Sequence, residues 1–184
     1  DWEHIGELLH PEFNEEKLGV KKEEDISCPN FFKLGDKWIL TCISHRLGCR
    51  YFIGEFKDEQ YLPEYHAVIG GNSRRYFAPE SLRTPDGRRV NWSWFINGNG
   101  RDHRGTQSLP TEMSLGSNGQ MCFRPIRELE TLRHEKKEKN RIQLKKNSSL
   151  LIDGMKGDHY EIELVISNTG NRSFGIDVLC NEEG

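Results

Sequence analysis

The stretch DISCPNFFKLGDKWIL, residues 25–40, limits what this chain can fold into more than any other. Pro29 has no backbone N–H and disfavours helix at Cys28, so Ser27-Cys28-Pro29-Asn30 belongs at the start or edge of a strand, not inside a ladder. An extended apolar segment follows to Phe32, Gly35-Asp36 turns the chain tightly, and Trp38 to Ile43 returns as a strongly apolar strand. A strand, a turn and a second strand is the unit these residues specify. The rims of such units, where loops meet a rigid sheet, are where β folds carry their chemistry.

The unit recurs along the chain. Tyr51 to Phe56 reads as the antiparallel partner of Trp38 to Ile43. Tyr76 to Ala78 leads to Glu80 to Leu82, Pro85-Asp86-Gly87 turns, and Arg89 to Ile96 returns. Ser114-Leu115 and Gln120 to Phe123 flank Ser117-Asn118-Gly119, a further hairpin signal. Short antiparallel strands at this spacing suit a propeller or a sandwich. From Pro125 the pattern changes: Ile126, Leu129 and Leu132 recur every three residues among charges, which predicts a surface helix to about Lys139. Alternation then resumes in Ser149 to Ile152, His159 to Ile166 and Ser173 to Leu179, with Tyr160, Ile162, Leu164 and Ile166 on one face, and predicts a second all-β module.

Composition narrows the partners. A net charge of −3 gives no bulk attraction to nucleic acid or to an anionic membrane, and the basic run Arg133 to Lys146 is interleaved with Glu135 and Glu138 as on a helix surface. No apolar run is long enough to span a bilayer, and Asp1-Trp2-Glu3 reads as mid-protein sequence and not as a signal peptide. The five cysteines form neither an even disulfide framework nor a Cys-x-x-Cys pair and read as mostly buried free thiols. Cys28, Cys42, His45 and Cys49 offer soft ligands, yet their spacing fits no standard zinc site, so no metal and no organic cofactor is expected. Asn91-Trp92-Ser93, Asn147-Ser148-Ser149 and Asn171-Arg172-Ser173 would permit N-glycosylation in a eukaryotic secretory route.

Three blocks in order, FFKLGDKWIL after a Cys-Pro, RRYFAPESLRTPDGRRVNWSWF and SLPTEMSLGSNGQMCFRPIRELETLR, resemble the β-fructosidases of glycoside hydrolase family 32, the invertases, inulinases and levanases. The likeness covers roughly residues 1 to 135, and residues 140 to 184 fit the start of that family's C-terminal sandwich. It implies an all-β fold: part of a five-bladed β-propeller over residues 1–124, a linker helix over 125–140 and the start of a β-sandwich over 141–184. It also implies a carbohydrate partner, a fructose-containing sugar, and slightly favours a secreted or periplasmic location. A propeller begun at its middle blades would expose a sheet edge and apolar blade faces, so a complementary propeller segment or a homo-oligomer is expected to cover them.

The chemistry such a site needs is a nucleophilic carboxylate and a general acid/base, about 5 to 5.5 Å apart in a retaining enzyme. The family's acid/base is the glutamate of a Glu-Cys-Pro-Asp motif, which falls on Ser27-Cys28-Pro29-Asn30, so both acids of the motif are replaced here. A serine hydroxyl is far too weak an acid to protonate a leaving oxygen near neutral pH. The Asn-Asp-Pro and Arg-Asp-Pro motifs that carry the family's nucleophile and transition-state stabiliser occur nowhere in the 184 residues, and the expectation is a piece of a longer member, a branch that has given up hydrolysis, or both. Asp25 shares the face of Ser27 by strand alternation and is the candidate substitute acid, while Glu24 points away; outside the motif, Glu23-Glu24-Asp25 reads as a solvated charged turn. Substrate contacts are expected at Cys28, Asn30, Asn72 and Trp92. Asn72 aligns with a substrate-contacting aspartate and can still hydrogen-bond a sugar hydroxyl without charge. Trp92 shares a strand face with Trp94, where core packing is favoured over sugar stacking. The sequence therefore reads as a relative of enzymes that hydrolyse β-fructosidic bonds in sucrose or fructans, inactive on its own. The alternatives are a non-catalytic carbohydrate-binding or interaction protein and a purely structural β module.

Overall fold

Between Ser27 and Pro125 the chain forms two antiparallel sheets, seen in a computed structural model that describes residues 1–70, 75–96, 105–157, 159–167 and 173–178. The first sheet is a meander of β1 (Ser27–Leu34), β2 (Lys37–Ser44), β3 (Gly48–Lys57) and β4 (Gln60–Val68) in sequence order. The second holds β5 (Tyr76–Arg83), β6 (Arg89–Phe95), β7 (Thr106–Gln107), β8 (Thr111–Leu115) and β9 (Met121–Pro125), with β7 and β8 pairing successive parts of β6. The all-β expectation and its hairpins are therefore present as paired strands. Among the described residues no helix is long and apolar enough to cross a membrane.

The apolar content of β2 and β3 follows from burial on both faces. Ile39, Ile43, Cys49, Tyr51 and Ile53 pack with Met113 and Met121 of the second sheet. On the opposite face, Leu40, Cys42, Phe52 and Tyr61 pack under Phe13, Leu18 and Val20 of the segment that precedes β1. That segment contains one turn of α-helix, α1 (Glu15–Leu18), capped by the Asn14 side chain at its start and by left-handed Gly19 at its end. It also ties down the free edge of β4: Tyr61 N–H donates to the Leu8 carbonyl at 2.7 Å and His10 N–H to the Tyr61 carbonyl at 2.9 Å.

β4 is a strand the sequence reading did not include; it carries Pro63, which removes a ladder donor. The structure accommodates Pro63 on a sheet edge, at a register shift opposite Ile53 and Gly54. Gly54 is required there, since a Cβ at that position would lie 2.2 Å from the Leu62 carbonyl oxygen.

Two bulges of one kind begin the first strand of each sheet. In β1 the register shifts between Ser27 and Asn30, and Cys28 has φ 50°; in β5 it shifts between Phe77 and Glu80, and Ala78 has φ 45°. Each left-handed residue precedes a proline. Asn30 joins the two bulges through its amide. Its Nδ2 donates to the Pro79 carbonyl at 3.3 Å and to Glu80 Oε2 at 3.1 Å, while its Oδ1 accepts from Ser81 N–H at 2.8 Å and Ser81 Oγ at 2.9 Å.

By compactness the chain divides into Asp1–Glu128 and Leu129–Gly184, a division that falls inside the stretch expected as a linker. The helix expected from Pro125 to about Lys139 is a 3-10 helix confined to Arg127–Leu132. Its reason is visible in the sequence: apolar residues spaced by three match the 3.0-residue turn of a 3-10 helix better than the 3.6 of an α-helix. Beyond it, Glu135 has φ 50°, incompatible with continued helix. In the second unit, the expected strands at 149–152, 159–166 and 173–179, the last described only to 178, form no ladder among the described residues. Strand backbone groups need a neighbouring strand, and these segments do not pair with one another. Their apolar side chains are accordingly open to solvent, Leu151 at 84% and Val165 at 92% exposure.

Replacing Asn30 with Ala removes the amide that joins the two sheets and leaves Ser81 N–H without that acceptor. The expected loss is about 1–3 kcal/mol of stability, read as a lower urea midpoint at unchanged m-value. A variant as stable as the parent would show that apolar packing alone holds the sheets together.

Candidate active site

The start of β1 lies beside the β2–β3 turn, because the antiparallel register sets Ser27 opposite Ile43 and Ser44 opposite Gly48. The start of β5 approaches the same rim, with the Phe77 ring 6.4 Å from the His45 ring. Ser27 Oγ donates to Asp25 Oδ1 at 2.6 Å. The other carboxylate oxygen, Asp25 Oδ2, accepts from His45 N–H at 3.1 Å and meets His45 Nδ1 at 2.5 Å. A carboxylate only accepts, so Nδ1 carries the proton of this bond and Nε2 is the nitrogen left for other partners. The Asp25 side chain is 37% exposed and that of His45 77%.

The donors around Asp25 decide its charge. The Ser27 hydroxyl first, then the His45 ring and backbone N–H, hold its carboxyl down to about 2. Beside it, the Glu24 side chain is only 9% exposed, accepts from Ser44 Oγ and forms an ion pair with Arg46, and these contacts lower its pKa against the opposing effect of burial. Ser44 Oγ in turn accepts from Arg46 and Leu47 N–H, each at 3.0 Å, closing the β2–β3 turn. Beneath both acids lies Arg50 of β3, fully buried, whose Nη2 donates to the Glu24 carbonyl at 3.0 Å and to that of Asp25. Next to it, burial pushes the Cys42 thiol up to about 11, partly offset by the Arg50 guanidinium. Burial likewise pushes Cys49 up to about 12 and lowers His66, whose Nδ1 meets the Leu18 carbonyl at 3.2 Å.

Residues 1–125 match the family described as glycosyl hydrolases family 32 N-terminal domain. The chain belongs to glycoside hydrolase family 32. Among curated relatives, it is 31% identical over 168 residues to a sucrose-6-phosphate hydrolase of Salmonella typhimurium, covering 73% of this chain and 32% of that one. It is 25% identical over 185 residues to a levanase of Bacillus subtilis (strain 168), covering 84% of this chain and 27% of the levanase. A family 32 β-fructofuranosidase of Bombyx mori shares the fold, with a TM-score of 0.51 at 21% identity over 60% of this chain and 27% of the enzyme. The chain thus spans about a third or less of the length of these relatives.

Within this family 32 chain, the residues singled out from sequence fall into separate groups. Ser27 and Asp25 are in direct contact, and of the run Glu23-Glu24-Asp25 only Glu23 is exposed in a turn, whereas Glu24 and Asp25 are bonded. A general acid must carry a proton at working pH, whereas Asp25 carries charge. Cys28 is exposed on the bulge, and Asn30 directs its amide into the second sheet. Trp92 is half-buried opposite Glu80, and Trp94 is 42% exposed; neither belongs to a buried cluster, because Asn91 and Ser93 between them take the buried places. Asn72 and Cys180 lie outside the described residues. Among the described residues, no three His, Cys, Asp or Glu gather closely enough to hold a metal ion. Sequence reasoning missed His45 and Arg50 as members of this rim. Arg50 had a signal, a cation inside the apolar run Cys49 to Ile53, which demands buried acceptors.

The depressed carboxyl of Asp25 links stability to pH. Its contribution is fully present above the unfolded value of about 3.9 and is lost as pH falls through that value toward about 2. Asp25→Asn should therefore lower the urea midpoint at neutral pH, and the gap to the parent should close between those limits. A gap of constant size down to pH 2 would show that the carboxylate charge contributes nothing.

Proposed function

We propose that the protein recognises fructose-containing sugars of the sucrose or fructan type at this rim, and that residue 27 takes no part in proton transfer. The observation that carries the reading is the contact at the rim. Where the family resemblance places the acid/base stands a serine whose hydroxyl donates to a charged aspartate. Support for the sugar comes from family membership and from the relatives, which are named levanase and sucrose-6-phosphate hydrolase. A mutant of the Bombyx mori enzyme, similar in fold, was solved in complex with sucrose. The two sheets are read as neighbouring blades of a five-bladed propeller, residues 125–140 as the linker and 141–184 as the start of a sandwich.

The 184-residue chain is read as unable to release fructose, because the motifs of the nucleophile and the stabiliser are not among its residues and Ser27 cannot protonate a leaving group. A purely sugar-binding role is the second reading, favoured by the replacement of both acids of the Cys-Pro motif at Ser27 and Asn30. Calorimetric titration of the chain with sucrose and short fructans should give measurable heat, and an assay for fructose should find none. Absence of heat at millimolar sugar would leave only a structural role. Fructose release that disappears in Asp25→Asn would make Asp25 the acid and overturn the assignment.

A further inference from the structure

His66 on β4 lies on the covered face of the first sheet and touches the segment that covers it. Its ring is 4.7 Å from that of Phe52, its partner on β3, and its Nδ1 meets the Leu18 carbonyl of the segment before β1 at 3.2 Å. A carbonyl only accepts, so Nδ1 carries the proton of the neutral ring and Nε2 carries a lone pair. Nε2 is buried and has no hydrogen-bond partner among the described residues. The neutral ring leaves one acceptor unmet there. A protonated ring has a donor at both nitrogens, and its charge would be enclosed with no acceptor at Nε2. We propose that His66 is a pH-dependent latch: neutral, it holds the segment from Leu8 to Val20 against the first sheet, and protonated in mild acid it releases that segment. The latch is independent of the sugar reading above.

The neighbouring charges set the direction. Arg50 of β3 is a buried cation whose Nε and Nη1 already lack partners, and its guanidinium carbon lies 5.1 Å from the same Phe52 ring, so a second cation is disfavoured there. Glu24 favours a charge on His66, but its carboxylate is engaged by Ser44 Oγ and Arg46. On β4 itself Glu64 is paired with Lys37, on β2 the Cys42 thiol is pushed up to about 11 and carries no charge near neutrality, and on α1 Glu15, Glu16 and Lys17 are exposed. Burial first, then Arg50, therefore lower the pKa of His66 against the Leu18 carbonyl and Glu24. With the segment closed, the ring titrates below the ordinary value of about 6.5 that it regains when the segment opens. The closed form is thus fully favoured above about 6.5 and loses that advantage as pH falls below it. What opens is defined by its contacts: Phe13, Leu18 and Val20 lift from Leu40, Phe52 and Tyr61, and the Tyr61 backbone at the β4 edge loses Leu8 and His10. The β1–β4 ladder itself does not pass through the segment, so the opening is local.

Amide hydrogen exchange of the 184-residue chain, expressed as protection factors so that the intrinsic pH dependence of exchange is removed, tests the latch. The reporters are the His10 and Tyr61 amides, which bond the Tyr61 and Leu8 carbonyls, and the reference is the Ser108 amide of the second sheet. Between about pH 7.5 and about pH 5.5 the protection of His10 and Tyr61 should fall about tenfold, as one proton taken up on opening requires, while that of Ser108 holds. In His66→Asn, whose amide nitrogen keeps a donor for the Leu18 carbonyl and does not titrate, the two reporters should show no such fall. His10 and Glu24 are common to both proteins, so their titration cancels in the comparison. An equal fall in parent and variant would overturn the latch. The parent alone also decides: the His66 ring resonance should titrate with a midpoint below about 6.5, and a midpoint at or above that value would overturn the latch even where His66→Asn does not fold.

Discussion

The buried guanidinium of Arg50 is the constraint on which the rim depends. A fully enclosed cation costs several kcal/mol in lost hydration unless its donors find acceptors. The backbone carbonyls of Glu24 and Asp25 supply acceptors for Nη2, while Nε and Nη1 are buried without a hydrogen-bond partner and the Phe52 ring centroid lies 5.1 Å from the guanidinium carbon. Holding those carbonyls fixes the direction of the segment that enters β1. The two carboxylates then fall where the β2–β3 turn can bond them, Glu24 on Ser44 and Arg46, Asp25 on His45. A charge inside the sheet thereby positions charges at its end.

The second constraint is the Asn30 amide between the sheets. Left-handed backbone at Cys28 and Ala78 is conformation that residues other than glycine adopt at a cost of about 1–3 kcal/mol each. Such strain persists only where surroundings over-determine it. Asn30 lies on one bulge and bonds the backbone of the other, at Pro79 and Ser81, so each strained turn is held in register by its counterpart. Arg89 extends the link, donating to Ser81 Oγ at 2.9 and 3.1 Å while its guanidinium lies 3.9 Å above the Phe32 ring.

Much of the fold was legible because its signals are local. Gly35-Asp36, Pro85-Asp86-Gly87 and Asn118-Gly119 are turn chemistry, and the apolar run of β2 reads as a buried strand without knowledge of its neighbours. β4 was not legible, since Pro63 is tolerated only by virtue of an edge and a bulge that a single segment does not announce. The apolar spacing at Ile126, Leu129 and Leu132 was seen, but it was assigned to the wrong helical period. Of the site, Ser27 and Asp25 were found by motif and by alternation. His45 escaped because its contact with Asp25 spans 20 residues of chain and follows from the pairing of Ser27 with Ile43. Asn30 was read as a sugar contact from its place in the Cys-Pro motif; its partners in the structure are 49 to 51 residues away in the second sheet.

The contact between Ser27 and Asp25 means that the two positions form one chemical unit. Among the contacts that lower the Asp25 carboxyl, the hydroxyl at 27 has the largest effect. A carboxylate placed at 27 would remove that donor and set a like charge against Asp25, and two such acids at hydrogen-bonding distance cannot both stay ionised without cost. One proton would then be shared between them, and the hold of Asp25 on His45 would weaken with it. The residue at 27 therefore bears directly on the acidity of Asp25, so an exchange there alters a pair of positions and not a single group.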